Sequence, residues 1–187
     1  GIPGSIYIIL IGSTTPAFVL AVAHTSVANV VFIFASIPIF SIFFSYIFLK
    51  EAVGFATVLT SIIVIFGLAI IAYGSGSSDI SSWKGDLLAV YVSVAYAGAL
   101  TAVRKMKEIS MVPAIPIAYI GTALIIGLFY FPFYEFSKHA ALFLGHGLFI
   151  GAATWLLTLG PRYLTTPEVS LLILLESVLA PLLVWLV

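Results

Sequence analysis

The sequence contains no cysteine and very little charge: seven Lys and Arg and seven Asp and Glu among 187 residues, for a formal net charge of zero. Each shortage removes a class of explanation. Without cysteine there are no disulfides and no thiolate metal ligands, although compartment is left open. With no net positive charge there is no basic surface to neutralise a phosphate backbone, so nucleic-acid binding is set aside. Charged residues make up 7% of the chain, where soluble proteins carry roughly a quarter. What fills the space is apolar: 63% of residues are hydrophobic and the mean hydropathy is +1.27.

Charge is missing in blocks. None occurs over 1–49, 52–78, 87–103, 109–134 or 140–161, and each block reaches, or nearly reaches, the roughly 20 residues of a membrane-spanning helix. Lipid offers no partner to open backbone, so such segments must be helices or strands of a closed barrel. Barrel strands alternate polar and apolar residues, and these runs do not. The pattern predicts an all-α integral membrane protein, a polytopic helical bundle with spans at about 5–24, 27–49, 53–73, 86–104, 113–134, 140–161 and 166–187, seven in all. The first run lacks a basic start and is followed by further spans, so it reads as a span and not a signal peptide. The connections at 50–51, 74–82, 104–110, 136–139 and 162–166 leave no room for a soluble domain. Lys and Arg in alternate connections fall five on one side (Lys50, Arg104, Lys105, Lys107, Arg162) and two on the other (Lys84, Lys138). That bias predicts a multi-pass plasma-membrane protein with the first side, and the residue-1 end, cytoplasmic.

Sliding the chain against itself by 139 residues brings Gly12 onto Gly151, Thr15 onto Thr154, Leu20 onto Leu159 and Val30 onto Val169, with whole spans and loops superimposed. Five crossings separate the first matched span from its partner, an odd number, so the copies lie in opposite orientation. Inverted-topology repeats recur in secondary transporters, where two related halves rock about a site at their interface. The expected organisation is 1–75 as the end of a first repeat, with three helices, and 84–187 as a second repeat with four. The same offset predicts two helices before residue 1 and one after residue 187, ten spans in an intact protein.

The run over 21–51, AVAHTSVANVVFIFASIPIFSIFFSYIFLKE, resembles the signature of the EamA-type drug/metabolite transporters: a short turn with Thr25-Ser26, a helix carrying a mid-membrane proline, Pro38, and a closing Lys50-Glu51. The run over 160–187, GPRYLTTPEVSLLILLESVLAPLLVWLV, is similar to that family's ninth helix, with Pro167-Glu168-Val169 at its start and Leu175-Glu176 at its centre. The family often has proline after the central glutamate; here Ser177 stands there, with Pro181 four residues on. The resemblance covers essentially the whole chain, as helices three to nine of ten. It implies an exporter or exchanger of a small metabolite or drug working by alternating access, without naming the solute.

Glu176 lies ten residues into the last span, about 15 Å deep at about 1.5 Å per residue. A carboxylate at mid-bilayer costs several kcal/mol unless protonated, paired or hydrated. It is therefore expected to face a cavity or a partner, as a substrate or proton-coupling group or in a structural hydrogen bond between helices. On the second span, Asn29, Ser36, Ser41 and Ser45 accompany Pro38, which removes one backbone bond and frees a carbonyl for a solute. The competing reading is close helix approach at Ser41 and Ser45, spaced four apart, with Pro38 as a kink. Gly147, Gly151, Thr154 and Thr158 form a small-residue stripe on the sixth span, matched by Gly12 and Thr15 on the first, and packing is the simplest account of it. Trp155 stands too deep for an interfacial belt and is expected to line the cavity. Tyr91 and Tyr96, on the fourth span, could contact a solute or pack between helices.

Arg104, Lys105 and Lys107 read as topology determinants, and would also form a basic mouth attractive to anions. His24, His139 and His146 have no metal spacing, and no cofactor is expected. An enzyme is not expected either: HExxH and GxSxG are absent from the sequence, and its two aspartates, Asp79 and Asp86, lie in or beside a loop. The glycine-rich stretch at 74–78 lacks the lysine of a phosphate loop. A noncatalytic membrane scaffold and a channel-like pore are the alternatives. A scaffold would account for the stripes but for neither the inverted repeat nor the midplane carboxylate. The expected partners are a small solute and the lipid bilayer.

Overall fold

A computed structural model describes residues 1–74, 82–129, 133–176, 179 and 186, and every regular element within them is helical. In chain order these are α1 Ile2–His24, α2 Val27–Phe34, α3 Ile37–Phe44 with a π-helical turn Ser45–Leu49, α4 Phe55–Gly74, α5 Trp83–Lys105, α6 Ala114–Phe129, α7 Phe133–Lys138, α8 Ala140–Tyr163 and α9 Thr166–Leu174. Four stretches are long and apolar enough to cross a membrane: Ile2–His24, Val27–Leu49, Trp83–Lys105 and Ala140–Tyr163. Phe55–Gly67 and Ala114–Phe129 are shorter apolar helices. The expected Gly/Ser connection at 75–81 lies outside the described residues, as does most of the last expected span beyond Glu176, Ser177 and Pro181 included.

The expected fifth span, 113–134, is helical as α6 up to Phe129; residues 130–132 lie outside the described residues, and the expected connection at 136–139 falls largely in the helix α7. The second expected span divides at Ala35–Ser36, between α2 and α3. Pro38 has no N–H for the Phe34 carbonyl one turn back. Beside it the Ile33 carbonyl accepts the Ser36 N–H at 2.9 Å, the Ser36 hydroxyl at 2.6 Å and the Ser93 hydroxyl of α5 at 3.3 Å. Hydroxyls thus bond the Ile33 carbonyl at the break, as hydrocarbon surroundings favour.

Helix starts are capped by the residues that local chemistry favours. The Ser26 hydroxyl accepts the Asn29 N–H at the head of α2. At the head of α9 the Thr165 N–H and hydroxyl both donate to the Glu168 carboxylate at 2.8 Å. Those boundaries repeat along the chain. α1 ends at His24 and α8 at Tyr163, α2 begins at Val27 and α9 at Thr166, and each pair is 139 residues apart. The turn at Ser36 and the turn at Leu175 have the same separation.

The hub is α5, which packs most extensively on α1 and also on α2, α3, α8 and α9. Its buried face is built from Ala89, Ala95, Ala97, Ala99 and Ala102, small residues that let helix backbones approach closely where hydrocarbon gives little hydrophobic drive. Two glycines mark the tightest crossings. A Cβ on Gly85 would lie 2.8 Å from the Thr25 nitrogen, and one on Gly12 would lie 2.6 Å from the Thr122 hydroxyl. At Gly147 and Gly151 nothing among the described residues comes within 4 Å of such a Cβ, so the close packing expected of that stripe is found at Gly12 and, on α8, at Thr154 and Thr158. The outer surface is apolar, with Phe66, Leu128, Phe129 and Leu148 exposed, and α8 keeps little more than Thr154, Thr158 and Pro161 buried.

Polar contacts identify the two ends of the bundle. At one, the Thr25 hydroxyl donates to Asp86 at 2.8 Å, joining the end of α1 to the start of α5. At the other, Arg104 pairs with Glu51 at 3.0 Å and donates to the Pro161 carbonyl at 3.1 Å, while Arg162 donates to the Lys107 carbonyl at 3.0 Å.

Candidate functional site

Four helices bring hydroxyls together inside this apolar framework. Thr154 and Thr158 are one helical turn apart on α8 and so share a face. With Pro161 they are its buried residues, 7% and 4% exposed. The Thr158 hydroxyl donates to the Thr154 carbonyl at 2.7 Å, which leaves its oxygen to accept from the phenol of Tyr7 on α1 at 2.9 Å. Tyr119 of α6 meets the Thr154 hydroxyl at 3.1 Å. Tyr96 of α5 completes the group: it lines, with Tyr7, Thr154 and Thr158, a cavity of about 10 Å³, room for a single water-sized sphere.

Tyr7 is five residues into α1 and Thr158 five residues from the end of α8, about 8 Å from the helix ends. The cluster therefore lies between mid-bundle and the end that carries Glu51 and Arg104. Its chemistry is that of donor–acceptor hydroxyls and aromatic faces, here bonded to one another around a space the size of one water. Among the described residues no group of three His, Asp or Glu is placed to hold a metal ion.

Of the residues singled out from sequence, Tyr96, Thr154 and Thr158 meet here, whereas Glu176 is exposed. The others lie elsewhere. Thr15 is exposed, whereas its neighbour Thr14 is buried and donates to the Ile11 carbonyl. Trp155 is 52% exposed on the outside of α8. Tyr91, 43% exposed, donates to the Ser13 hydroxyl at 2.7 Å, since that hydroxyl itself donates to the Leu10 carbonyl. Asn29 belongs to the cap network at the opposite end, its amide donating to Thr25 at 3.3 Å. Ser36 donates to its own helix, and Pro38 is buried at the start of α3.

Tyr7 and Tyr119 were not among the sequence candidates. A tyrosine in an apolar run signals only an amphipathic ring, and the sequence holds nine of them; the threonine partner that distinguishes Tyr7 is 151 residues away. In the sequence Glu51 closes the family-like signature and Arg104 reads as a topology residue, and nothing local links the two. Opposite charge at two expected ends on one face of the membrane was the available signal. The chain matches no protein-family model, no curated protein and no solved structure.

Proposed function

We propose that this chain is a membrane carrier that moves a small metabolite or drug across the plasma membrane by alternating access, in the export direction. The observation that carries the proposal is the hydroxyl cluster of Tyr7, Tyr119, Thr154 and Thr158 inside apolar helices. Buried polar side chains within a membrane are expensive, and they persist where they hold helices together or line a path. Here they converge from three helices, with Tyr96 on a fourth.

Two further features support the carrier reading. The polar ties put Glu51, Arg104, Lys107 and Pro161 at one end and Thr25 with Asp86 at the other, the alternation that seven crossings require. Helix ends and turns 139 residues apart support an inverted repeat, with the clustered lysines and arginines on the cytoplasmic side. Together with the motifs at 21–51 and 160–187, they favour an EamA-type carrier.

The test is uptake of a labelled metabolite panel into proteoliposomes containing the intact protein, with and without a pH gradient. At least one solute should be taken up above protein-free liposomes. Glu176→Gln should abolish the pH dependence while leaving downhill exchange. Unchanged pH dependence would reject proton coupling through Glu176, and no uptake of any solute would count against a carrier.

A further inference from the structure

The Glu51–Arg104 junction draws together three segments that the helix order keeps apart. Lys50 adopts a left-handed conformation, φ 56°, which turns the chain sharply as it leaves the π-helical turn. The next residue, Glu51, donates its N–H to the Ser45 carbonyl at 3.3 Å. Its carboxylate is thereby fixed against the end of α5, where the Arg104 Nε donates to both of its oxygens at 3.0 and 3.3 Å. The remaining face of the guanidinium reaches the Pro161 carbonyl, in the last turn of α8. Carbonyls of a final helical turn have no partner within the helix and lie at the negative end of its dipole, so Arg104 caps α8 from a different helix. Arg162 ties the same helix end to the Lys107 carbonyl.

The ion pair is well shielded, with the Arg104 and Glu51 side chains 13% and 30% exposed. Lys50, Lys105, Lys107 and Arg162 belong to the same end, as do Glu108 and Glu168, and Glu51 is the acid in contact with Arg104. Removing its carboxylate would leave a guanidinium that is 13% exposed without a counter-charge against it, which favours separation of the junction. Glu51 belongs to the first expected repeat, whereas Arg104 and Pro161 belong to the second. Separating the halves at this end requires this pair to break.

We infer that the Glu51–Arg104 pair, with the Pro161 carbonyl, is a gate: made, it closes the bundle at the end nearest the hydroxyl cluster, and broken, it lets the two halves part there. The inference rests on the alternating-access reading, and it gives Arg104 a role beyond setting topology.

The lack of native cysteine allows a direct test. Spin labels on Ala52→Cys and Tyr163→Cys, both exposed positions beside the junction, report the separation of the two halves in lipid vesicles by pulsed dipolar spectroscopy. Glu51→Gln should raise the long-distance population about tenfold or more, the scale of losing a charge-assisted bond. Glu51→Asp, which keeps a carboxylate for Arg104 and leaves its bond to the Pro161 carbonyl in place, should stay close to the parent, a difference that damaged packing would not give. A distribution unchanged by Glu51→Gln, or one that Glu51→Asp shifts as far as Glu51→Gln does, overturns the gate. Solute uptake by the same parent vesicles separates the two readings. Transport with unaltered distances in Glu51→Gln removes the gate and leaves the carrier, whereas no uptake of any solute removes the carrier on which the gate depends.

Discussion

Direction within a hydrogen bond decides what a substitution costs at the hydroxyl cluster. The Tyr7 phenol gives its proton to Thr158, and Thr158 gives its own to the Thr154 carbonyl. Tyr7→Phe therefore removes a donor while every remaining proton keeps an acceptor, and should cost about 0.5–1.5 kcal/mol. Thr158→Val nearly conserves shape but strands a phenol that is 2% exposed, which should cost about 1–3 kcal/mol. The double variant should cost less than the sum of the two, because the stranded phenol is then gone. Thermal unfolding of all four proteins in one detergent checks this order, and a larger loss from Tyr7→Phe than from Thr158→Val would contradict the assigned bond directions. The cluster was half legible in the sequence. Thr154 and Thr158 announced a shared face by their spacing, and Tyr96 was a plausible lining residue. Tyr7 and Tyr119 were hidden because helix rotation decides whether a ring meets a hydroxyl or lipid. Rotation also separates Thr14 from Thr15: neighbours on a helix differ by about 100° in direction, and matching Thr15 to Thr154 by sequence offset could not choose the buried one.

Among elements, the join between α1 and α5 is the most exacting. At Gly85 an added Cβ would meet not only the Thr25 nitrogen and Cβ, each at 2.8 Å, but the His24 carbonyl carbon at 2.9 Å, and backbone cannot rotate aside as a side chain can. Gly85→Ala should therefore displace the start of α5, weaken the Thr25–Asp86 bond and cost about 1–3 kcal/mol. Gly67→Ala, in the interior of α4 with nothing within 4 Å, should instead be neutral or raise stability by up to about 1 kcal/mol, through the lower backbone entropy of alanine. Comparing thermal midpoints of the two variants tests the contrast, and equal midpoints would sink it. Element boundaries were largely written in caps and prolines, as at Ser26, Thr165 and Pro38. The π-helical turn was not, because its run SYIFL reads like any other apolar helical stretch.

For the whole molecule, the arrangement of charge was more legible than the arrangement of helices. Lys and Arg clustered in alternate connections because loops in water carry charge cheaply while hydrocarbon does not, so the sequence displayed which ends belong together. That α5 is the hub was not displayed: apolar runs of similar composition differ only in the small residues they turn inward, and these emerge once partners are known. The alternation makes a sharp prediction. Single cysteines at Ala52, Glu108 and Tyr163 stand at the Glu51–Arg104 end, and those at Trp83 and Lys138 at the opposite end; all five positions are exposed. In sealed vesicles of known orientation, a membrane-impermeant maleimide should label the first three from one face and the last two from the other, against a background free of native thiols. Because an odd number of crossings separates the two sets, one misassigned span would shift every later position to the wrong face. Labelling of positions 52 and 163 from opposite faces would break the ion-pair geometry, the inverted repeat and the carrier reading together.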